Sequence, residues 1–143
     1  MRIHGFALPA GRGGFTLIEL LIVILIVAIL ATIGIPRLVE AREEGFYTAI
    51  AQDIRNLAAS QERYYHANME YASDLEATDF DPSRGIQITV ATATGRGWAA
   101  TARHESLPSD MGCVVYLGNA EAPPLPDGEP HTRGPGAVQC AGR

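Results

Sequence analysis

The chain contains no lysine, and its 143 residues carry 11 arginines against 16 acidic side chains, which gives a net charge of −5. Nonspecific binding to nucleic acid depends on cations that neutralise phosphates. An acidic chain without lysine is poorly suited to that task. The composition therefore does not indicate a nucleic-acid partner.

The sequence also lacks the patterns that mark catalytic, cofactor and metal sites. No Ser/His/Asp or Cys/His arrangement stands out, and the glycines form no phosphate-binding pattern. The histidines are scattered over unrelated segments, at His4, His66, His104 and His131. We therefore expect no enzymatic activity, no cofactor and no metal site.

One acidic stretch has the oxygen ligands that calcium prefers, but its spacing does not fit an EF-hand. Its carboxylates belong to Asp74, Glu76, Asp79 and Asp81. We expect a solvated loop here, and calcium binding stays an open alternative.

The sequence contains one long apolar run, from Phe15 to Ile35, in which Glu19 is the only charged residue. As a helix of about 21 residues the run spans about 31 Å, close to the hydrocarbon thickness of a bilayer. A secretory signal peptide would have a shorter apolar core, of about 7–15 residues, and a buried hairpin of a soluble protein is a weaker alternative. A carboxylate inside such a helix raises the free energy of membrane insertion by about 2.5–3.5 kcal/mol. We therefore expect Glu19 to have a function.

The arginines on either side of the run bear on its orientation. Arg2 and Arg12 precede it and favour a cytoplasmic N-terminus under the positive-inside rule. Arg37 and Arg42 follow it and weaken this argument slightly. We expect the rest of the chain to lie outside the inner face of the membrane.

The two cysteines, Cys113 and Cys140, both fall in the exported part of the chain. An even pair in an oxidising compartment indicates a disulfide, and a pair of free thiols is the alternative. A disulfide that closes this loop of about 28 residues would raise the free energy of unfolding by about 3–4 kcal/mol in the chain-entropy model.

Near the far end of the apolar run, Gly34 and Pro36 predict a kink or a local loosening of the helix. The helical pattern then resumes, and we expect the helix to end near residues 65–68. One face of this second half recurs at spacings of three and four, at Tyr47, Ile50, Ile54, Leu57, Gln61 and Tyr64. Asp53 falls off that face.

The remainder predicts a small antiparallel meander that covers the amphipathic half of the helix. Residues 66–84 predict an irregular connection, with a short helical turn at Leu75. The predicted strands start at Ile86, Trp98 and Cys113, and a short edge strand is expected at 138–140. The proline-rich stretch before that edge strand predicts an irregular surface loop.

At its N-terminus the sequence Gly14-Phe15-Thr16-Leu17-Ile18-Glu19-Leu20-Leu21 resembles the processing and assembly signature of type IV pilins and their pseudopilin relatives. The resemblance is specific for about the first 50 residues and architectural beyond them. It implies that a prepilin peptidase cleaves after Gly14 and methylates the new N-terminal amine of Phe15. It also implies that Glu19 directs assembly.

The resemblance therefore implies an α+β, pilin-like fold, with a long kinked helix on a small antiparallel sheet and a C-terminal disulfide loop. The expected divisions are a cleaved leader at 1–14, a transmembrane or filament-core helix at 15–36, and an amphipathic half-helix with a β head at 37–143. The implied function is that of a type IV pilus subunit, held in the inner membrane and then polymerised with other pilins by an inner-membrane machinery. A type II secretion pseudopilin and a monomeric membrane-anchored binding module are the alternatives.

Overall fold

The structure is a computed structural model that describes residues 14–142, so the predicted leader, with Arg2 and Arg12, lies almost wholly outside the described residues. The chain divides into two units, residues 1–39 and residues 40–143. Helix α1, Leu17–Asn68, belongs to both units, and its end falls where the sequence predicts it. The helix continues without interruption through Pro36, and a bend at Gly34 and Pro36 stays a prediction.

In the second unit, one face of α1 forms the core with a four-stranded antiparallel sheet. A single 3₁₀ turn, Glu76–Thr78, follows the helix next to Leu75, as expected. The strands are β1 Ile86–Thr94, β2 Gly97–His104, β3 Cys113–Gly118 and β4 Gln139–Cys140. They pair in the order β1-β2-β3-β4, which confirms the predicted meander.

The core between helix and sheet depends on a contrast in side-chain size along β2. Trp98 is completely buried at one end of the strand, and Ala100 and Ala102 continue the same face. Small side chains let a helix approach a sheet closely, and they leave room for large apolar groups from the helix. Ile50, Ile54 and Leu57 fill that room and are 0% exposed.

Two expectations about burial were wrong. Asp53 does not lie off the buried face, because it is 3% exposed and binds Ser83. The C-terminal loop is irregular as predicted, but it is not only a surface loop. Its Leu125 packs with Val114 and Ala141 in a second small core. Tyr64, predicted on the buried face, is half-buried.

Candidate assembly site

The first half of α1 presents its apolar side chains to the surroundings. The large hydrophobic residues from Phe15 to Val39 are between 48% and 85% exposed. By length and composition the helix can cross a membrane, and its apolar half is not buried. Such a surface needs a lipid or protein covering, because burial of apolar area is worth about 25 cal/mol per Å². This segment is therefore the first component of the site.

Glu19 lies in the first turn of α1, where Thr16 supplies its hydrogen-bond partners. The Glu19 Oε2 atom accepts from the Thr16 N–H at 2.9 Å and from the Thr16 hydroxyl at 2.8 Å. The Glu19 N–H in turn donates to Thr16 Oγ1 at 3.2 Å. This reciprocal arrangement is a capping box, and a carboxylate is favoured near a helix N-terminus by the helix dipole. Within a single chain, Glu19 is therefore hydrogen-bonded locally.

The sequence reasoning missed Thr16, although the signal for it was present. A threonine followed three residues later by a glutamate, before an apolar run, is the pattern of a capping box. Phe15 lies next to this box, ahead of the helix, and is 85% exposed. The predicted cleavage and methylation positions, Gly14 and Phe15, therefore directly precede the capping box that Thr16 and Glu19 form.

Pro36 lies inside the helix. Because proline has no backbone N–H, the carbonyl group of Thr32 loses its usual partner four residues ahead. One turn earlier, the Thr32 hydroxyl donates to the Ala28 carbonyl oxygen at 2.9 Å, a bond that can bend a helix slightly. These are the local conditions for the predicted loosening.

The other predicted features that the structure describes lie in the second unit, residues 40–143. Cys113 and Cys140 form the expected disulfide, with an S–S distance of 2.06 Å, between β3 and β4. His104 stacks on Phe46, and His131 meets Tyr116 edge-on. Across residues 14–142, no three histidine, cysteine or acidic side chains converge as a metal site.

Comparison with known proteins gives matches at the N-terminus and over the head. Residues 10–35 match the prokaryotic N-terminal methylation motif. The chain is 42% identical over 81 residues to the type IV wide pilus major component PilA4 of Thermus thermophilus. That alignment covers 57% of this chain and 60% of the relative.

Two further relatives are named as components of two different assemblies, a type IV pilus and a type II secretion system. The chain is 28% identical over 119 residues to the type IV major pilin protein PilA of Myxococcus xanthus, covering 83% of this chain and 53% of the relative. It is 28% identical over 103 residues to the type II secretion system core protein G of Pseudomonas aeruginosa, covering 69% and 67%. The chain thus spans only 60% and 53% of the two pilus proteins.

The methylation motif, the capped Glu19 in an exposed apolar helix and the disulfide-closed β head occur together in this chain. The chain thus carries the prokaryotic N-terminal methylation motif, and it is similar to type IV pilins and to a type II secretion core protein.

Proposed function

We propose that this chain is a structural subunit of a type IV pilus and not an enzyme. A leader, residues 1–14, is removed after Gly14, and Phe15 becomes the methylated N-terminus. Residues 15–36 hold the subunit in the inner membrane and then form the filament core, while residues 37–143 form the exported part. A prepilin peptidase and an inner-membrane assembly machinery act on it. Adhesion, motility or DNA uptake would be properties of the filament.

The observation that carries this proposal is the position of Glu19 among uncovered apolar side chains. In a lipid or protein interior, a carboxylate needs a partner that offsets its desolvation. Thr16 provides neutral donors within the chain. The ammonium group of a neighbouring subunit's Phe15 would provide an opposite charge, which gives shorter and stronger bonds than neutral donors. If Glu19 exchanges Thr16 for the neighbouring subunit's Phe15 ammonium, that ion pair would fix the axial register of the subunits. Apolar packing between the helices would supply most of the cohesion.

The decisive experiment combines N-terminal mass spectrometry with filament isolation. We expect a methylated Phe15 as the mature N-terminus. We expect Glu19→Gln, which keeps the shape and removes the charge, to reduce filament yield severely with the head still folded. Glu40→Gln is the matched control, since Glu40 is exposed on the same helix beyond the apolar run. An intact Met1, or normal filaments from Glu19→Gln, would refute the proposal.

A type II secretion pseudopilin is the second candidate, favoured by the alignment that covers 67% of a type II secretion core protein. Such a subunit would form a short periplasmic structure, and its deletion would stop enzyme secretion. Surface filaments composed mainly of this chain favour the pilus subunit instead. A processed protein that stays monomeric would favour a third reading, a membrane-anchored binding module.

A further inference from the structure

Two tyrosines stack on each other where helix α1 ends and the segment that connects it to β1 begins. The ring centroids of Tyr65 and Tyr71 lie 4.7 Å apart, and the two ring planes differ by 26°. Tyr65 belongs to the last turn of α1, and Tyr71 follows the end of the helix. Both side chains are half-buried, so the rings contact each other and also meet solvent. Neither the assembly site nor the proposed function gives this pair a role.

Backbone contacts hold Tyr71 in place beside the helix. Met69 has a positive φ angle of 60°, which turns the chain where the helix ends. The Tyr71 N–H then donates to the Thr94 carbonyl oxygen at 3.3 Å. The next residue, Ala72, forms two hydrogen bonds with the buried side chain of Gln61. The stacked pair is therefore positioned by the fold, and not only by the attraction between two aromatic rings.

The phenol group of Tyr71 is hydrogen-bonded to a carboxylate. Its hydroxyl donates to Glu62 Oε1 at 3.1 Å, and Glu62 is exposed, so this carboxylate can pass a proton on to water. A phenol that loses an electron becomes a strong acid and must release its hydroxyl proton. A proton acceptor already in place lowers the barrier to that release. We therefore expect an oxidant to attack Tyr71 more readily than a phenol exposed to water alone.

Other side chains that are easily oxidised do not compete strongly with this pair. Cys113 and Cys140 are the only cysteines of the chain, and they already form a disulfide. Trp98 is the single tryptophan, and it is completely buried. An oxidant that approaches the head therefore finds no thiol and no accessible indole, and the half-buried tyrosines become its main aromatic targets.

We propose that Tyr65 and Tyr71 are a site of oxidative modification, at which a one-electron oxidant joins the two rings as dityrosine, with Glu62 as the proton acceptor. A haem peroxidase acting with hydrogen peroxide is an oxidant of this class. The link joins the end of α1 to the connection and closes a loop of residues 65–71. Such a cross-link stabilises the folded chain by removing conformations from the unfolded one. The inference goes beyond the proposed function and does not rest on it.

The reaction balances as a loss of two electrons and two protons. Each tyrosine gives one electron to the oxidant, while the hydroxyl proton of Tyr71 passes to Glu62 and that of Tyr65 passes to water. The two phenoxyl radicals form one carbon–carbon bond between ring carbons next to the oxygens. Each of these carbons then releases its proton, and each oxygen regains one, which restores both phenols. One hydrogen peroxide molecule takes up the two electrons and two protons and becomes two water molecules. Because the rings already face each other, the two radicals need not diffuse together.

Oxidation of the purified full chain in detergent tests the site directly. The chain is treated with a haem peroxidase and hydrogen peroxide, and the monomer is isolated and digested after glutamate. Because Glu70 lies between the two tyrosines, the digestion places them on separate peptides, 63–70 and 71–76. We expect mass spectrometry of the monomer to find these two peptides joined, with the loss of two hydrogen atoms. Absence of the joined peptides from the oxidised monomer would overturn the proposal.

Tyrosine variants identify the residues that react. Tyr65→Phe and Tyr71→Phe keep the aromatic ring and remove the phenol, so each should abolish the joined peptides. Tyr64→Phe is the matched control, because Tyr64 is also half-buried but projects roughly 100° away around the helix axis. We expect it to leave the yield unchanged. A link that survives in Tyr65→Phe or Tyr71→Phe would overturn the proposal.

A glutamate variant and an unfolding measurement test the proton acceptor and the effect of the link. Glu62→Gln should lower the initial rate of dityrosine formation about tenfold or more, since a positioned proton acceptor commonly contributes at least about a hundredfold. Glu76→Gln is the control, because Glu76 is exposed in the same connection. Equal rates in the two variants would overturn the role of Glu62. The cross-linked monomer should unfold at a higher urea concentration than Tyr65→Phe treated in the same way, and an equal midpoint would overturn the stabilising effect.

Discussion

Gln61 and Ala72 form two hydrogen bonds between the helix and the segment that connects it to β1, at 2.9 and 2.8 Å. Gln61 is 0% exposed and Ala72 is 2% exposed, so water does not compete for these groups. At neutral pH an amide side chain can both donate to the carbonyl and accept from the N–H through its two terminal atoms, which an ionised carboxylate cannot do. The pair therefore specifies glutamine at this position, and not merely a polar residue.

We expect Gln61→Glu to cost about 2–3 kcal/mol of unfolding free energy at neutral pH, because a carboxylate oxygen then faces the Ala72 carbonyl without a proton. Protonation restores the donor, so the folded state raises the pKa of the new carboxyl group. Its stability contribution is then present at low pH and is lost as pH rises through that pKa. Urea unfolding of the full chain in detergent, followed by the fluorescence of its single tryptophan, measures the effect.

Gln52→Glu is the matched control, because Gln52 is exposed on the same helix and binds only Asn56. We expect it to change stability by less than about 0.5 kcal/mol. A loss in Gln61→Glu that is no larger than in the control, or that does not depend on pH, would contradict the role given to the pair.

Tyr71 should give the head a pH dependence in the alkaline range. Partial burial of its phenol, together with its hydrogen bond to Glu62 and the charge of that carboxylate, raises the pKa of Tyr71 above its ordinary value. The unfolded chain then loses the proton first, so stability is complete below a pH of about 10 and falls as pH rises beyond it. The pKa of Tyr71 should fall in Glu62→Gln and stay unchanged in Glu70→Gln, as measured by NMR of ¹³C-labelled tyrosine. A pKa that is the same in both variants would exclude the Glu62 contribution.

The regular elements were predictable because their signals are local. The period of the helix face located Ile50, Ile54 and Leu57, and the alternation of Ile86 and Ile88 located β1. The signal of Thr16 was equally local, because its partner Glu19 is three residues away, but it was overlooked. The sequence therefore contained most of the candidate site, including its cap.

Buried polar contacts between distant residues were not predictable from the pattern. Asp53 looks like a solvent-facing residue until Ser83, 30 positions later, supplies two donors. A buried polar group needs such a partner, and a single sequence does not reveal which distant residue provides it. The same holds for Leu125, an apolar residue among prolines, whose partners Val114 and Ala141 come from elements on either side of it.

The disulfide should account for a large share of the stability of the head. Cys113 and Cys140 are 27 positions apart, and their bridge joins the short outer strand β4 to β3. Replacing both by alanine should lower the unfolding free energy by about 3–4 kcal/mol, chiefly by freeing the unfolded chain. The tryptophan-detected urea titration measures this loss. A change below about 1 kcal/mol would show that the C-terminal loop is held by its packing and hydrogen bonds alone.

Gly118 and Gly128 allow two costs of replacing a glycine to be separated. Both have positive φ angles, of 64° and 88°. A Cβ atom on Gly118 would collide with the Arg96 carbonyl oxygen and come within 2.9 Å of the Gly97 Cα atom, whereas one on Gly128 would have no heavy atom within 4 Å beyond its chain neighbours. Gly128→Ala should therefore lower the free energy of unfolding only by the cost of a left-handed backbone, about 1–2 kcal/mol.

Gly118→Ala should cost more than about 4 kcal/mol, because β2 and β3 must separate near the Gly97 and Gly118 pair to admit the methyl group. Paired urea titrations of the two variants give the difference directly. Tryptophan fluorescence is a sensitive readout here, since Trp98 lies next to Gly97 and is 0% exposed. Equal losses in the two variants would mean that the strands yield at this point, and that only the backbone angle requires glycine.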